Sequence, residues 1–279
     1  MFHVKQKENK MYKIIFCDLD GTLLDDNRNV SDINKNAINK AIEKGCKFVI
    51  CSGRSNMSID YFNKIFNFDK IKNYAVAFNG AYIYETNTKK KLVEHLVPST
   101  GAIKAINMCR KFNVDIMVYK NEMLYFDAPT IRTDTYAKRN MVNTTIVNNL
   151  IEVASEPVSK VIIIGDNEEL KKVENKVMST NIKNEMTTFF SADILYEFNP
   201  IGIDKGTGLK ELSEILNVNI KETIAIGDNY NDLSMIKAAG LGVCCINGED
   251  GVKKFADYVT ITDNNEGAVA EVINKFILN

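Results

Sequence analysis

Residues 14–17, Ile-Ile-Phe-Cys, form a continuous apolar run that stops at Asp18. That is the pattern of a strand buried on both faces. From Ser31, a suitable N-cap, Ile33, Ala37, Ile38, Ala41 and Ile42 recur at helical spacing until Gly45 ends the pattern. The rhythm repeats with a strand at 48–50, a helix near 57–66 and a strand at 74–78 that runs into the turn signal Asn79-Gly80. The middle of the chain changes character. Segments 81–85, 92–97, 114–119 and 122–126 read as hairpin strands, the last pair separated by Lys120 and Asn121. Helical patterns fall near 99–112 and 130–140, followed by a strand at 160–164, a helix at 167–179 and a strand near 186–190. This block predicts an antiparallel sheet backed by helices. After about residue 200 the first rhythm returns: helix 205–216, strand 223–226, helix 232–239, strand 241–246 and a last helix near 266–277. The expected fold is α/β: a doubly wound parallel-sheet core, 11–83 with 191–279, interrupted by an inserted α+β domain at 84–190.

Composition narrows the function classes. The chain has 279 residues, 45% apolar and 25% charged, enough to bury a core without staples. Its net charge of −1 leaves no basic excess for a nucleic-acid backbone, so no nucleic-acid partner is expected. The six cysteines show no C-x-x-C pairing and sit in apolar runs, which suits buried free thiols in a reducing cytosol. With only His3 and His95, a histidine zinc site or a Ser-His-Asp triad is hard to build, so any metal is expected on oxygen ligands. No window approaches the ~18 apolar residues of a membrane span. Residues 1–10 are polar and basic, unlike a signal peptide, and Met11 directly precedes the first strand-like run. The expectation is a soluble cytoplasmic protein without a membrane partner, a monomer or a small homo-oligomer.

Three polar clusters each follow an apolar strand: Asp18-Leu19-Asp20-Gly21-Thr22, Ser52-Gly53-Arg54, and Gly227-Asp228-Asn229-Tyr230-Asn231-Asp232. In an open parallel sheet, ligands bind beyond the carboxyl ends of the strands. Acids gathered there stay ionised together only if a cation neutralises them, and carboxylate oxygens suit Mg²⁺. Such a site leaves one carboxylate, Asp18, to attack phosphorus, and a second, two residues on, to serve as acid and base. Phosphate needs donors, which Ser52, Gly53 and Lys205 offer, Lys205 at the start of a predicted helix.

Each cluster alone has a plainer reading. D-x-D-G-T suits an Asp-rich turn, S-G-R any strand-to-helix turn, and Asp232 a first-turn helix acid. Leu233, Ile236 and Lys237-Ala238-Ala239 read as core packing, and Tyr119, Tyr125 and Phe126 as sheet packing. The order and placement of the clusters together argue against chance.

The motifs resemble those of the haloacid dehalogenase superfamily of phosphatases, in particular its Cof-type branch. The resemblance rests on D-L-D-G-T-L-L at 18–24, S-G-R at 52–54, F-N-G-A at 78–81, D-K-G-T-G-L at 204–209 and G-D-N-Y-N-D-L-S-M at 227–235. It implies a Rossmann-like core and a cap that selects substrate, with Asp18 as nucleophile and metal ligand. Asp20 would be the general acid/base, with its backbone carbonyl on the metal. Asp228 would be a further ligand, with Asn231 and Asp232 in or just behind the metal shell. Ser52, Gly53 and Lys205 would cradle phosphate, with Asn79 near the phosphate or the cap hinge. The implied activity is Mg²⁺-dependent removal of phosphate from a small metabolite, a sugar phosphate or similar, through an aspartyl-phosphate. Flavin and pyridoxal phosphates are as compatible as hexose phosphates. A sugar phosphomutase, a non-catalytic phosphometabolite sensor and a response-regulator-like phosphoreceiver stay open as alternatives, although the Asp18/Asp20 pair suits an enzyme.

Overall fold

The structure, a computed structural model, describes residues 12–279. The readings made on residues 1–10, Met11 and His3 lie outside the described residues. Along the chain come β1 (Ile14–Cys17), α1 (Asp32–Glu43), β2 (Lys47–Cys51), α2 (Asn56–Ile65) and β3 (Tyr74–Ala77). Then follow β4 (Tyr82–Glu85), β5 (Lys91–Glu94), α3 (Ser99–Cys109), β6 (Asp115–Lys120), β7 (Met123–Phe126), α4 (Ile131–Asn140) and β8 (Thr144–Ile146). Next are α5 (Leu150–Val153), β9 (Lys160–Ile164), α6 (Asn167–Met178), β10 (Met186–Ala192), β11 (Leu195–Pro200) and α7 (Lys205–Ile215). The chain closes with β12 (Thr223–Gly227), α8 (Leu233–Ala238), β13 (Leu241–Cys244), α9 (Asp250–Lys253), β14 (Tyr258–Val259) and α10 (Ala268–Ile273).

These elements form two compact units, 12–51 with 205–279, and 52–204. In the first unit, β14, β13, β12, β1 and β2 lie side by side, every pair parallel. Strands β1, β12 and β13 are buried at every residue, which is why they read as unbroken apolar runs. Helix α1 starts where expected, with the Ser31 hydroxyl accepting from the Asn34 N–H. It packs against α10, and α7 packs against α8. This is the expected parallel-sheet, Rossmann-like arrangement.

The second unit contains the antiparallel run β3–β4–β5 and a six-stranded sheet ordered β10-β11-β9-β6-β7-β8. The expected inserted domain, 84–190, falls inside this unit. Ile116, Val118, Val161, Ile163, Tyr196 and Phe198 turn one sheet face toward α3, α5 and α6, where they form the unit's core with Ala105, Leu150 and Val173. Tyr119 and Phe126 are buried in the sheet, as expected of packing residues, and Tyr125 packs on that core.

Several expectations need correction. The sheet is not wholly antiparallel, because β7 and β8 run parallel. The hairpin turn after β6 is Asn121–Glu122, both with left-handed backbone, not Lys120–Asn121. Strand β11 was not foreseen, nor were the short elements β8, α5, α9 and β14. All six cysteines are buried and free. Among the described residues no helix is long and apolar enough to cross a membrane.

Candidate active site

The parallel pairing of β1 with β12 sets Cys17 opposite Ile226, and the Asp18 N–H donates to the Ile226 carbonyl at 3.0 Å. Asp18 and Asp228 therefore leave the sheet at the same edge, each one residue past its strand. The chain then turns back at once, with the N–H groups of Leu23 and Leu24 donating to the Leu19 carbonyl. Gly21 permits this turn. Its φ is +77°, and a Cβ there would lie 2.5 Å from Asp228 Oδ2. The Thr22 hydroxyl donates to Asp228 Oδ1 at 2.8 Å, and Asn247 Nδ2 holds the Gly21 carbonyl at 2.8 Å.

Asp18, Asp228 and Asp232 present carboxylate oxygens within 4.8 Å of one another. Lys205, the first residue of α7, is fully buried and donates to Asp18 Oδ1 and Asp232 Oδ1, both at 2.5 Å. The second oxygen of Asp232 accepts the N–H groups of Asp228 and Asn229, each at 3.0 Å. Asp232 thus ties the lysine to the loop that carries Asp228.

Charge explains how this cluster behaves. Burial pushes the Asp18 carboxyl well above the usual carboxylate range; Lys205 opposes the shift, and Asp232, Asp228 and Asp20 add to it. Burial and then Asp232 push Asp228 up to about 7, against the pull of Thr22 and Lys205. Burial alone would pull the Lys205 ammonium down, but Asp18 and Asp232 outweigh it and hold the group above its ordinary value. One ammonium faces three acids, so the cluster favours a further cation. Its donors are hard carboxylate oxygens, which fit a divalent metal ion of the Mg²⁺ type.

Asp20 lies outside the three converging carboxylates. It is exposed on the same loop, with Arg28 at 3.8 Å from its Oδ1. Asn231 is half-buried in the single turn between Asn229 and Leu233.

Ser52, Gly53 and Asn79 come together within the second unit. The Asn79 N–H donates to the Ser52 carbonyl at 3.0 Å, and the Phe78 N–H to the Arg54 carbonyl at 2.9 Å. A Cβ on Gly53 would lie 2.9 Å from Asn79 Oδ1. Phe78 and Asn79 both hold left-handed backbone, and Ser52 and Asn79 are buried. Thr22 and Asn247 were not singled out from the sequence. Thr22 stands inside the first motif, two residues past Asp20, where a hydroxyl is a signal; Asn247 carries no local one.

The comparisons with known proteins fit this geometry. The family model described as haloacid dehalogenase-like hydrolase matches residues 15–273. The 5-amino-6-(5-phospho-D-ribitylamino)uracil phosphatase YcsE of Bacillus subtilis is 30% identical over 276 residues, covering 98% of this chain and 99% of that protein. The pyridoxal phosphate phosphatase YbhA of Escherichia coli is 26% identical over 273 residues, covering 95% and 99%. Among solved structures, a haloacid dehalogenase-like hydrolase from Bacteroides thetaiotaomicron superposes with a TM-score of 0.87 at 31% identity, covering 95% of this chain and 99% of that one. The chain belongs to the haloacid dehalogenase-like hydrolase family.

Proposed function

We propose that this chain is a Mg²⁺-dependent phosphohydrolase that releases phosphate from small phosphorylated metabolites through an aspartyl-phosphate on Asp18. It is an enzyme of the phosphoric monoester hydrolase class. The observation that carries the reading is the convergence of Asp18, Asp228 and Asp232 on Lys205 just past β1 and β12. The names of the two phosphatase relatives support small organophosphates as the substrate class.

Lys205 engages Asp18 Oδ1, which leaves Oδ2 to attack phosphorus. As that P–O bond forms, the ester P–O bond breaks, and the leaving oxygen takes its proton from the Asp20 carboxyl. Asp20 then receives a proton from the water that attacks the phosphorus of the aspartyl-phosphate, releasing phosphate and restoring Asp18. Its exposure lets it exchange protons with solvent between turnovers. A bound Mg²⁺ would be held by the Asp18 and Asp228 side chains and the Asp20 carbonyl, with Asn231 and Asp232 in or just behind its shell, and would supply positive charge to the substrate phosphate. Ser52, Gly53 and Lys205 donate to that phosphate, and Asn79 braces the Gly53 loop. Residues 84–190 act as the cap that selects substrate. A cytoplasmic location suits the six free thiols.

The test is phosphate release from a panel of phosphomonoesters with and without Mg²⁺, for wild type and Asp18→Asn. Turnover that needs Mg²⁺ and disappears in Asp18→Asn is expected; no release from wild type on any ester refutes the hydrolase reading.

A further inference from the structure

The Asp20 side chain stands apart from the three converging carboxylates and is exposed. Where its carboxyl can reach is therefore set by the backbone around it. That backbone is a short turn in which Asp20 bridges to Leu24, and Leu24 to Val30. Gly21 lets the turn form, but a residue without a Cβ does little to hold it in one conformation.

Three asparagines from far along the chain grip this turn. Asn247, between β13 and α9, donates its Nδ2 to the Gly21 carbonyl at 2.8 Å and accepts the Asn264 N–H on its Oδ1 at 3.2 Å. Asn264, in the loop before α10, donates its Nδ2 to the Leu24 carbonyl at 3.0 Å and to Asp26 Oδ1 at 3.2 Å. Asn265 Oδ1 accepts the Asp26 N–H at 3.0 Å. The loop that carries Asn247 is itself pinned to the loop of Asp228. On one side of it the Cys245 N–H donates to the Gly227 carbonyl at 3.0 Å, and on the other the Glu249 N–H donates to the Asp228 carbonyl at 2.8 Å. Asn247 is exposed, yet both ends of its amide are engaged by protein, which fixes the donor end toward Gly21.

We infer that Asn247 is a positioning residue for proton transfer: through the Gly21 carbonyl it fixes the backbone of Asp20 relative to the Asp228 loop. The inference rests on the phosphohydrolase reading, in which Asp20 gives the leaving oxygen its proton. A general acid works only within hydrogen-bond reach of the oxygen it protonates. A displacement of about 1 Å costs roughly 100-fold in rate, so the residue that holds the acid's backbone in place bears directly on this step. Asn264 and Asn265 hold the far end of the same turn.

The experiment measures kcat/KM for phenyl phosphate and 4-nitrophenyl phosphate in wild type, Asn247→Ala, Asp20→Asn and the double variant. This constant covers the steps up to departure of the leaving group, so the later hydrolysis of the aspartyl-phosphate does not enter it. Phenolate is a stronger base than 4-nitrophenolate and gains more from a proton as it leaves. Asn247→Ala is expected to lower the phenyl ester about tenfold more than the 4-nitrophenyl ester. In the Asp20→Asn background, where no acid is left to position, it should not change the ratio further. General damage to the fold lowers both esters together, so an unchanged ratio in Asn247→Ala overturns the inference. A ratio that falls again in the double variant overturns it too. Asn247→Asp keeps the shape and the acceptor for Asn264 but turns an oxygen on the Gly21 carbonyl, and it carries the same expectation should the alanine variant fail to fold. The underlying reading fails separately, if Asp20→Asn keeps the wild-type ratio or if wild type releases no phosphate from any ester; either result removes the inference with it.

Discussion

Lys205 and Asp232 meet at 2.5 Å with neither side chain exposed to solvent. Asp18 would still compensate the Lys205 charge if Asp232 were removed, but the part-buried N–H groups of Asp228 and Asn229 would lose their acceptor. Asp232→Ala should destabilise the first unit by about 1–3 kcal/mol, the cost of such donors left without their acceptor. It should also free the Asp228–Asn229 loop, whose N–H groups Asp232 accepts. Urea unfolding of wild type and variant measures this; a loss under about 1 kcal/mol, the range of a surface pair, would contradict it.

Gly21 combines a left-handed backbone with close approach to Asp228. Gly21→Ala should cost about 1–2 kcal/mol from the backbone alone. Its methyl also displaces the Asp228 carboxylate, and a 1 Å error in a catalytic group costs roughly 100-fold in rate. Steady-state kinetics beside a thermal melt separate the two effects; turnover within a few-fold of wild type would show that Asp228 tolerates the shift.

Metal binding to the folded state alone should raise stability. At a Mg²⁺ concentration about 100 times Kd the gain is about 2.7 kcal/mol. Asp228→Asn should lose most of that gain, because it removes one of the converging carboxylates. Melting with Mg²⁺ and with EDTA reads it directly, and an equal Mg²⁺ shift in the variant would place the ion elsewhere.

Glu271 of α10 anchors the segment after β14. It accepts from the Tyr258 hydroxyl, the N–H groups of Ile261 and Thr262, and the Thr262 hydroxyl. Burial pushes its carboxyl up, but these hydrogen bonds outweigh burial and hold it below the usual carboxylate range. A depressed carboxyl stabilises the fold above its unfolded-state pKa, and that contribution fades as pH falls through the folded-state value. Glu271→Gln should therefore melt below wild type at pH 7, with the gap narrowing under acid conditions. A gap that stays constant from pH 7 to below the carboxylate range would rule the linkage out.

The parallel core is legible because strands buried on both faces leave unbroken apolar runs, as at 14–17 and 224–226. Strand β11 is not, because Glu197, Asn199 and Pro200 break its pattern. Glu197 and Asn199 form a buried cluster with Lys160, so the local rule failed where tertiary partners override it. The turn after β6 was misplaced by one residue because Glu122, rarely left-handed, shares it with Asn121. Within the first unit, Asp18, Asp228, Asp232 and Lys205 stand out in the sequence by their places after strands and before a helix. The lysine's grip on two of those acids is a tertiary contact that spacing does not encode.

The central claim is that phosphate passes through Asp18. Rapid quenching during turnover, reduction with labelled borohydride and peptide mapping test it most directly, because an acyl phosphate on aspartate is reduced to homoserine. The account predicts label at position 18 in wild type, dependent on substrate and absent from Asp18→Asn. Active enzyme that carries no label, or carries it at another residue, would contradict the account.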